Sequence, residues 1–302
     1  MQLVAYILVY PLIWVVSILP FRIFYFVSDC IFFLLYYVIG YRKKVVRNNI
    51  QIAFPEKSEN EIIAIEKKFY HHMVDLFMEM MKSLSMSKKQ MTKRFTYTNL
   101  EVLHHYGKKK QNVSLVCGHY ASWEWMMSLG YFIEHKGYGI YMPIANKYFD
   151  RLVRKIRMKH EAYLIPVKEA SKTVVKHHKD GELSMYGFAM DQSPMPHRAK
   201  YWRKFFGVTV PVFVGAEELA KACDHAVIFL DIQKVKRGYY QTTFKVITDT
   251  PNEYENYQIT DTFTEMLEEQ IRKAPEYYLW THRRWKHRDK VPTEVLETQT
   301  AH

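Results

Sequence analysis

His119 and Glu124 are two residues whose types and spacing suit acid–base chemistry. They lie in the run CGHYASWEW (residues 117–125), where a predicted strand ends and a predicted helix begins. A histidine at a strand end can face a cleft, and a carboxylate on the next helix can bond its other ring nitrogen. The carboxylate would stabilise the imidazolium formed when the histidine takes a proton from an attacking hydroxyl. The spacing alone also occurs by chance around ordinary strand-end histidines.

Ser122 and Cys117 offer two other chemistries in the same run. Ser122 is a candidate nucleophile, but the Gly-x-Ser-x-Gly elbow of α/β-hydrolases is absent. Cys117 and His119 suggest a pair of metal ligands, but no second Cys/His pair has zinc-like spacing, so we expect no metal and no cofactor. Together with Cys30 and Cys223, Cys117 makes three cysteines in the chain. They lie far apart among apolar neighbours, which is typical of buried thiols in a reducing compartment.

An α/β fold is predicted for the elements that must position His119. After Gln111, short apolar runs alternate with amphipathic stretches, which predicts crossover units in a mixed, largely parallel sheet flanked by helices. The predicted strands cover residues 112–117, 138–142, 162–166, 183–190, 226–234 and 240–247, and the predicted helices cover 122–135, 148–159, 170–178, 217–222 and 259–271. Catalytic groups in such sheets gather beyond the carboxyl ends of the strands.

Residues 42–111 are predicted to be mainly helical. A capping box formed by Ser58 and Glu61 starts a helix that runs to Met80, with apolar residues at helical spacing. The polar residues at the end of the chain are expected to form a frayed tail. These patterns divide the chain into an anchor (1–41), a catalytic domain (42–290) and a polar tail (291–302).

The N-terminus has the composition of a membrane anchor. No charged residue lies between Met1 and Phe21, and residues 23–41 carry only Asp29, so each run approaches the ~20 apolar residues of a spanning helix. A basic n-region and a cleavage site are both absent, so a cleaved signal peptide is not expected. The basic residues within 42–47 place the following domain on the cytoplasmic side by the positive-inside tendency.

Two membrane geometries fit this anchor. One has a single spanning helix with an interfacial companion, which we favour, and the other is a tight hairpin that turns near Pro20. The remaining alternative is a buried helix pair in a soluble protein, because Arg22 and Asp29 would be costly in lipid.

The composition indicates a globular chain with an anionic partner. Of 302 residues, 48% are apolar and 25% charged, which excludes a disordered chain and allows one large domain with an anchor. Aromatic residues reach 16%, as suits a lipid interface. The formal charge of +12 fits nucleic acid, anionic phospholipid, a phosphorylated glycolipid or an acidic carrier protein.

Several blocks of the sequence resemble one enzyme family. The run GHYASWE (118–124) resembles the His-x4-Asp/Glu motif of glycerolipid acyltransferases, and in particular the Gly-His-x-Gly-x-Trp-Glu of the late lipid A biosynthesis acyltransferases. Ala121 or Ser122 stands where that motif has a glycine. The blocks IQIAFP (50–55), FFG (205–207) and PEYYLWTHRRWK (275–286) are similar to further family blocks and follow the family's order, so the resemblance extends from the anchor to about Arg288.

The resemblance implies transfer of a fatty acyl chain from an acyl-carrier-protein or acyl-CoA thioester to a hydroxyl of a lipid acceptor. The expected acceptor is a lipid A precursor in secondary acylation, and a lysophospholipid, an aminolipid or another glycolipid is the close alternative. The implied location is the bacterial inner membrane, with the catalytic domain on the cytoplasmic side. From another class, a non-catalytic membrane-associated protein that binds lipid or nucleic acid is the alternative.

The resemblance also implies roles for individual residues. His119 is expected to be the base and Glu124 its orienting partner. Arg157, with Arg154 as the competitor, would hold a phosphate or phosphopantetheine, because a guanidinium makes bidentate contacts with phosphate oxygens.

Two further matches concern substrate binding. Asn146 matches a family asparagine that precedes the arginine-bearing helix, and Asp191-Gln192 matches a pair that would brace the pocket or bind polar groups of the acceptor. The segment THRRWKHRDK (281–290) is basic with an aromatic inside it, a pattern that binds nucleic acid or anionic lipid headgroups. The anchor and the resemblance favour lipid, so we expect a membrane partner and no nucleic-acid partner.

Overall fold

The computed structural model describes residues 2–300, and its centre is a seven-stranded sheet. The strands of the described chain are β1 (Phe95–Tyr97), β2 (Val113–Cys117), β3 (Lys136–Tyr141), β4 (Tyr163–Pro166), β5 (Ser184–Ala189), β6 (Tyr201–Phe205), β7 (Val208–Val212), β8 (Ala226–Lys236) and β9 (Tyr239–Thr248). The order across the sheet is β1-β9-β8-β2-β5-β3-β4, with β8–β9 antiparallel and the other neighbours parallel. β2 is buried at every position, which explains its continuous apolar run.

Helices surround this sheet and precede it. They are α1 (Gln2–Ile18), α2 (Phe21–Phe33), α3 (Lys43–Ala53), α4 (Glu59–Lys82), α5 (Lys88–Arg94), α6 (Glu101–Lys109), α7 (Lys147–Met158), α8 (Ala170–Lys179), α9 (Gly215–Cys223), α10 (Gln258–Lys273) and α11 (Thr293–Thr300). The predicted capping box starts α4, where the Ser58 N–H donates to Glu61 Oε2 at 2.9 Å and the Glu61 N–H donates to Ser58 Oγ. The predicted α/β fold with a mixed, largely parallel sheet is confirmed.

The helix predicted over residues 122–135 is a 3-10 helix, Trp125–Tyr131, instead of an α-helix. Its packing explains the difference. The indole N–H of Trp125 donates to Ser83 Oγ at 2.8 Å, and a Cβ at Gly130 would lie 2.0 Å from the carbonyl oxygen of Glu161. Such close tertiary contacts override the local preference that the apolar spacing suggested.

β1 and the β6–β7 hairpin were not predicted from the sequence. β1 has three residues, which is too short for a periodic signal, and it lies inside the stretch predicted to be mainly helical. The hairpin turns at Phe206 and Gly207, both at positive φ (49° and 73°), as a two-residue hairpin turn requires. The predicted frayed tail carries α11, and residues 301–302 lie outside the described chain.

α1 and α2 lie along the domain and present an apolar outer surface. On the inner side, Phe24 is fully buried against Val74 and Met78 of α4. On the outer side, large apolar side chains are exposed, among them Leu8, Leu12, Phe26 and Val38. A π-helical turn extends α2, and the resulting helix Phe21–Ile39 is long and apolar enough to cross a membrane. Because this outer face is exposed, α1 and α2 do not form the buried helix pair expected for a soluble protein.

Of the two charged residues that made α2 a costly membrane helix, Arg22 is exposed and Asp29 is paired with a cation of the domain. Arg237, in the β8–β9 turn, donates to Asp29 of α2 at 2.6 Å and to both carboxylate oxygens of Asp75 in α4 at 2.7 and 2.9 Å. Ser28 donates to Asp75 at 2.7 Å. Asp75 is fully buried, so its charge depends on these partners. The network therefore joins the anchor to the sheet.

Arg237→Ala tests this junction. The substitution leaves Asp75 buried without its guanidinium partner, so we expect the free energy of unfolding to fall by about 2–4 kcal/mol. Thermal or denaturant unfolding in detergent measures the change. The adjacent, exposed Lys236 provides the matched control, and Lys236→Ala should stay within about 0.5 kcal/mol of wild type. Equal losses in the two variants would contradict the assigned role.

Candidate active site

His119 lines a cavity beyond the carboxyl ends of the parallel strands. The cavity has a volume of about 230 Å³ and reaches the last residues of β2, β3 and β5, which are Cys117, Tyr141 and Ala189. His119 follows β2 by two residues, so the strand end directs this segment to the cavity. This location agrees with the expectation that reactive groups gather at the carboxyl edge of the sheet.

The loop that carries His119 is held by its backbone. A Cβ at Gly118 would lie 2.6 Å from Leu267 Cδ1 of α10, so a larger residue there would require the Leu267 side chain to move. The carbonyl oxygen of His119 accepts a hydrogen bond from the Leu279 N–H at 3.0 Å. The predicted PEYYLWTHRRWK block thus supports the histidine loop directly.

Ala121 and Ser122 occupy the positions where the sequence departs from the glycine of the resembled motif. Ala121 has φ of 50°, in the left-handed region that favours glycine, and its N–H donates to the Tyr277 carbonyl oxygen at 2.9 Å. Ser122 is fully buried, and its hydroxyl has no hydrogen-bond partner among the described residues. Without a base within reach, Ser122 lacks the activation that a serine nucleophile needs.

Asp191 is the carboxylate that contacts His119. Its Oδ1 lies 2.6 Å from His119 Nδ1, and the residue is almost completely buried. With the Nδ1–H donating to Asp191, Nε2 carries the lone pair, and Gln192 Nε2 lies 3.5 Å from it. Burial alone would lower the pKa of His119, but the charge and hydrogen bond of Asp191, followed by the charge of Glu124, raise it above its ordinary value. The ring is oriented as a general base requires.

Glu124 contacts Arg157 and not His119, which corrects the expected geometry. Arg157 Nε donates to Glu124 Oε2 at 2.8 Å, and its Nη2 donates to Oε1, so both carboxylate oxygens are occupied. The expected contact assumed a helix from residue 122, whereas Glu124 precedes a 3-10 helix and points toward α7. Both residues line the cavity, and a catalytic role for Glu124 stays a prediction.

Other residues predicted to bind substrate are placed differently. Asn146 caps α7, with its Oδ1 accepting the N–H groups of Tyr148 and Phe149 at 3.0 and 3.4 Å, and it does not line the cavity. Arg154 is exposed on α7, one turn before the cavity-lining Arg157. The geometry therefore favours Arg157 of the two predicted arginines, and a substrate contact by Asn146 stays a prediction.

The basic segment 281–290 is only partly a charged surface. Arg284 is buried, donates to Ser193 Oγ at 2.7 Å and to the Pro211 carbonyl at 3.1 Å, and lies 4.9 Å above the Phe205 ring. Trp285 is buried as well. These two residues hold the structure together instead of facing a headgroup. The exposed cations of the segment are Arg283, Lys286, Arg288 and Lys290.

Comparison with known proteins shows to which family the chain belongs. The sequence profile of the bacterial lipid A biosynthesis acyltransferases matches residues 2–287. The chain belongs to this family. It is similar to the lipid A biosynthesis lauroyltransferase of Escherichia coli (strain K12), with 24% identity over 284 residues that cover 93% of this chain and 91% of the relative. The chain is therefore an acyltransferase, as the motifs predicted, and the non-catalytic alternative is set aside.

The contact between His119 and Asp191 was missed because the sequence analysis took Glu124 as the orienting partner. A usable signal was present, since His119 follows the predicted strand 112–117 by two positions and Asp191 directly follows the predicted strand 183–190. The missing information was that β2 and β5 pair with Cys117 opposite Ala189. Strand pairing of this kind depends on contacts distant in sequence, which one sequence does not reveal.

Asp191→Asn and Glu124→Gln distinguish the two carboxylates of this acyltransferase. A general base must be neutral to accept a proton. Because the pKa of His119 is raised, we expect the acid limb of the pH profile of kcat/KM to lie above about pH 6.5. Removing the Asp191 charge should move that limb to lower pH and reduce kcat by about 10²–10⁴-fold. Glu124→Gln should move the limb less, because Glu124 is bonded to Arg157.

The pH dependence of kcat/KM for acyl transfer measures both effects. Asp180→Asn, at an exposed carboxyl after α8, is the matched control and should keep the wild-type profile. A larger shift for Glu124→Gln than for Asp191→Asn would show that the contact between His119 and Asp191 does not govern the base.

Proposed function

We propose that this acyltransferase moves a fatty acyl chain from an acyl-carrier-protein or acyl-CoA thioester to a hydroxyl of a lipid A precursor, in a secondary acylation. The observation that carries the proposal is that Asp191 holds Nδ1 of His119, so the Nε2 lone pair, contacted by the Gln192 amide at 3.5 Å, lies beside a largely apolar cavity. The similarity to the E. coli lipid A biosynthesis lauroyltransferase supports the acceptor class and the fatty acyl donor.

The reaction follows from the arrangement of the groups. His119 Nε2 takes the proton of the acceptor hydroxyl, and the oxygen forms a bond to the thioester carbonyl carbon. The tetrahedral oxyanion collapses, the carbon–sulfur bond breaks, and the thiolate takes the proton from the imidazolium. In the proposed reaction the acceptor hydroxyl displaces the Gln192 amide from His119 Nε2, and the released amide N–H is then a donor for the oxyanion, where preorganised donors lower the barrier. No covalent enzyme intermediate is needed.

Arg157 is the proposed contact for the anionic part of a substrate. Two of its N–H groups bind Glu124, and a guanidinium has five, so others are directed elsewhere. The bidentate pair fixes the plane of the guanidinium beside the cavity. A phosphate of the glycolipid or the phosphopantetheine of the donor fits this group, since guanidinium recognises phosphate oxygens.

The acyl chain is proposed to lie along β3 and β5. The cavity beside His119 shares Met126, Met127, Gly139 and Gly187 with a second, smaller cavity of about 40 Å³. The smaller cavity is lined mainly by apolar side chains that include Leu115, Leu129 and Ile133. The two glycines leave room where side chains would otherwise separate the cavities. A hydrocarbon tail there would leave water for an apolar surface, which is favourable.

The membrane is proposed to lie against α1 and α2, with the domain on the cytoplasmic side of the bacterial inner membrane. Tyr6 of α1 contacts the rings of Tyr148 and Phe149 in α7 at 5.7 Å each, and α7 also carries Arg157. The apolar outer surface of the anchor therefore adjoins the helix that borders the cavity. This arrangement favours a lipid acceptor that reaches His119 from the membrane. The basic cluster after residue 41 supports the cytoplasmic side.

His119→Ala tests the proposed reaction. Purified protein in detergent would be given acyl-carrier and CoA thioesters of several chain lengths with lipid A precursors, lysophospholipids, aminolipids and other glycolipids. Wild type should acylate the lipid A precursor, and His119→Ala should lose about 10²–10⁴-fold in rate, as expected for a lost general base.

His105→Ala, at an exposed histidine of α6, is the matched control and should keep wild-type activity. Full activity in His119→Ala would reject the base. Acylation of another acceptor alone would assign the enzyme to that lipid.

Gly139→Ala tests the proposed acyl path. An added Cβ would lie 2.9 Å from Met127 Cε and 3.3 Å from Leu164 Cδ2, so it narrows the connection between the cavities. We expect kcat/KM for the longest accepted thioester to fall by roughly tenfold or more relative to a shorter one, since one methylene alters discrimination by about 10–200-fold.

The control is Gly215→Ala at the start of α9, where a Cβ would meet no atom within 4 Å. An unchanged chain-length profile in Gly139→Ala would place the acyl chain elsewhere.

A further inference from the structure

Three metal-ligating side chains meet at the edge of the sheet opposite the active site. They are His178 near the end of α8, Cys223 at the end of α9, and His225 directly before β8. A ligand atom of each lies within 4.8 Å of those of the other two. β8 runs parallel to β2, so His225 lies at the amino-terminal edge, away from the cavity that His119 lines.

One ring nitrogen of His225 is hydrogen-bonded and the other has no hydrogen-bond partner, as expected for a histidine that can bind a metal ion. The residue is 0% exposed, Nδ1 lies 3.2 Å from Ser114 Oγ, and Nε2 makes no hydrogen bond to any described residue. If the Nδ1–H donates to Ser114, Nε2 has a free lone pair. Metal-bound histidines use this arrangement, in which a second group fixes the tautomer.

Cys223 and His178 complete a complementary set of donors. Cys223 is a buried free cysteine, and its thiolate would supply a soft sulfur ligand. His178 is exposed at the end of its helix and can close over an ion from the solvent side. The adjacent His177 bonds Tyr186 Oη at 3.0 Å and lies 3.3 Å from Glu182, so it is already engaged.

We propose that His178, Cys223 and His225 bind one Zn²⁺ ion, with water as the fourth ligand. Zinc is coordinated by cysteine and histidine at about 2.0–2.3 Å in tetrahedral geometry. A soft thiolate with two imidazoles suits Zn²⁺ and not Mg²⁺ or Ca²⁺. The exposed His178 makes most of the small movement that closes the set. The ion joins α8, α9 and β8, which supports the sheet edge remote from catalysis.

The proposal departs from the expectation that this chain holds no metal. That expectation rested on short zinc-like spacings, and Cys223-x-His225 is a close pair whose third ligand lies on a distant helix. Only the fold brings His178 to the other two. The sequence signal was therefore a single Cys-x-His pair, which is weak by itself.

Metal binding to the tag-free full-length protein in detergent tests the site. After chelator treatment, the protein would be titrated with Zn²⁺ alone and with Co²⁺ alone. We expect one Zn²⁺ per chain to survive desalting, and the Co²⁺ form to show visible bands of tetrahedral Co²⁺ with a near-ultraviolet thiolate charge-transfer band. Zn²⁺ at a hundredfold excess over its Kd should raise Tm by roughly 5 °C.

Matched variants locate the ion. Cys223→Ser should abolish the charge-transfer band, whereas Cys117→Ser and Cys30→Ser should retain it. His178→Ala, at an exposed position that is safe for folding, should weaken Zn²⁺ binding by at least about tenfold, and His105→Ala should not. Equal Zn²⁺ affinity in wild type and His178→Ala, or loss of the band in Cys117→Ser instead of Cys223→Ser, would overturn the site. These readouts do not depend on the acceptor or donor of acyl transfer.

Discussion

The parallel pairing of β2 with β5 is the constraint on which the active site depends. In this register Cys117 lies opposite Ala189, and His119 and Asp191 each follow these partners by two residues. The two strands therefore bring His119 and the carboxylate of Asp191 to the same place without any local sequence motif joining them. A shift of one residue in the pairing would turn one of the side chains to the other face of the sheet. The hydrogen bond between His119 and Asp191 is thus a consequence of sheet register.

The block PEYYLWTHRRWK (275–286) holds the loop that carries His119 in place. The Leu279 N–H binds the His119 carbonyl, and the Ala121 N–H binds the Tyr277 carbonyl, so the loop is paired along its backbone. Asn49 of α3 in turn donates to the carbonyl oxygens of Trp280 and His282 at 2.8 and 2.7 Å. Segments far apart in sequence therefore form one continuous set of contacts behind the histidine. This explains why the resemblance is spread over separate blocks, of which only one contains the base.

A feature could be predicted from the sequence where it depends on residues close together in the chain, and could not where it depends on contacts between distant residues. Strand ends, the capping box of Ser58 and Glu61, and the position of His119 depend on local composition and were accessible from the sequence. The partner of His119 was not, because Glu124 was judged from an ideal helix that the packing of Trp125 and Gly130 replaces with a 3-10 helix. Arg284 shows the same limit: its basic neighbours suggest a surface, but tertiary contacts bury it.

The N-terminal helices α1 and α2 have two different faces, one packed against α4 and one exposed and apolar. Asp29 is acceptable in an otherwise apolar helix since Arg237 reaches it from the β8–β9 turn, and Asp75 shares that guanidinium. The same contact holds α2 along α4. The apolar outer surface of α1 and α2 therefore has a fixed position relative to the sheet. Because β8 pairs with β2, the strand that leads to His119, the ion network at the β8–β9 turn and the His119 cavity are attached to neighbouring strands of one sheet.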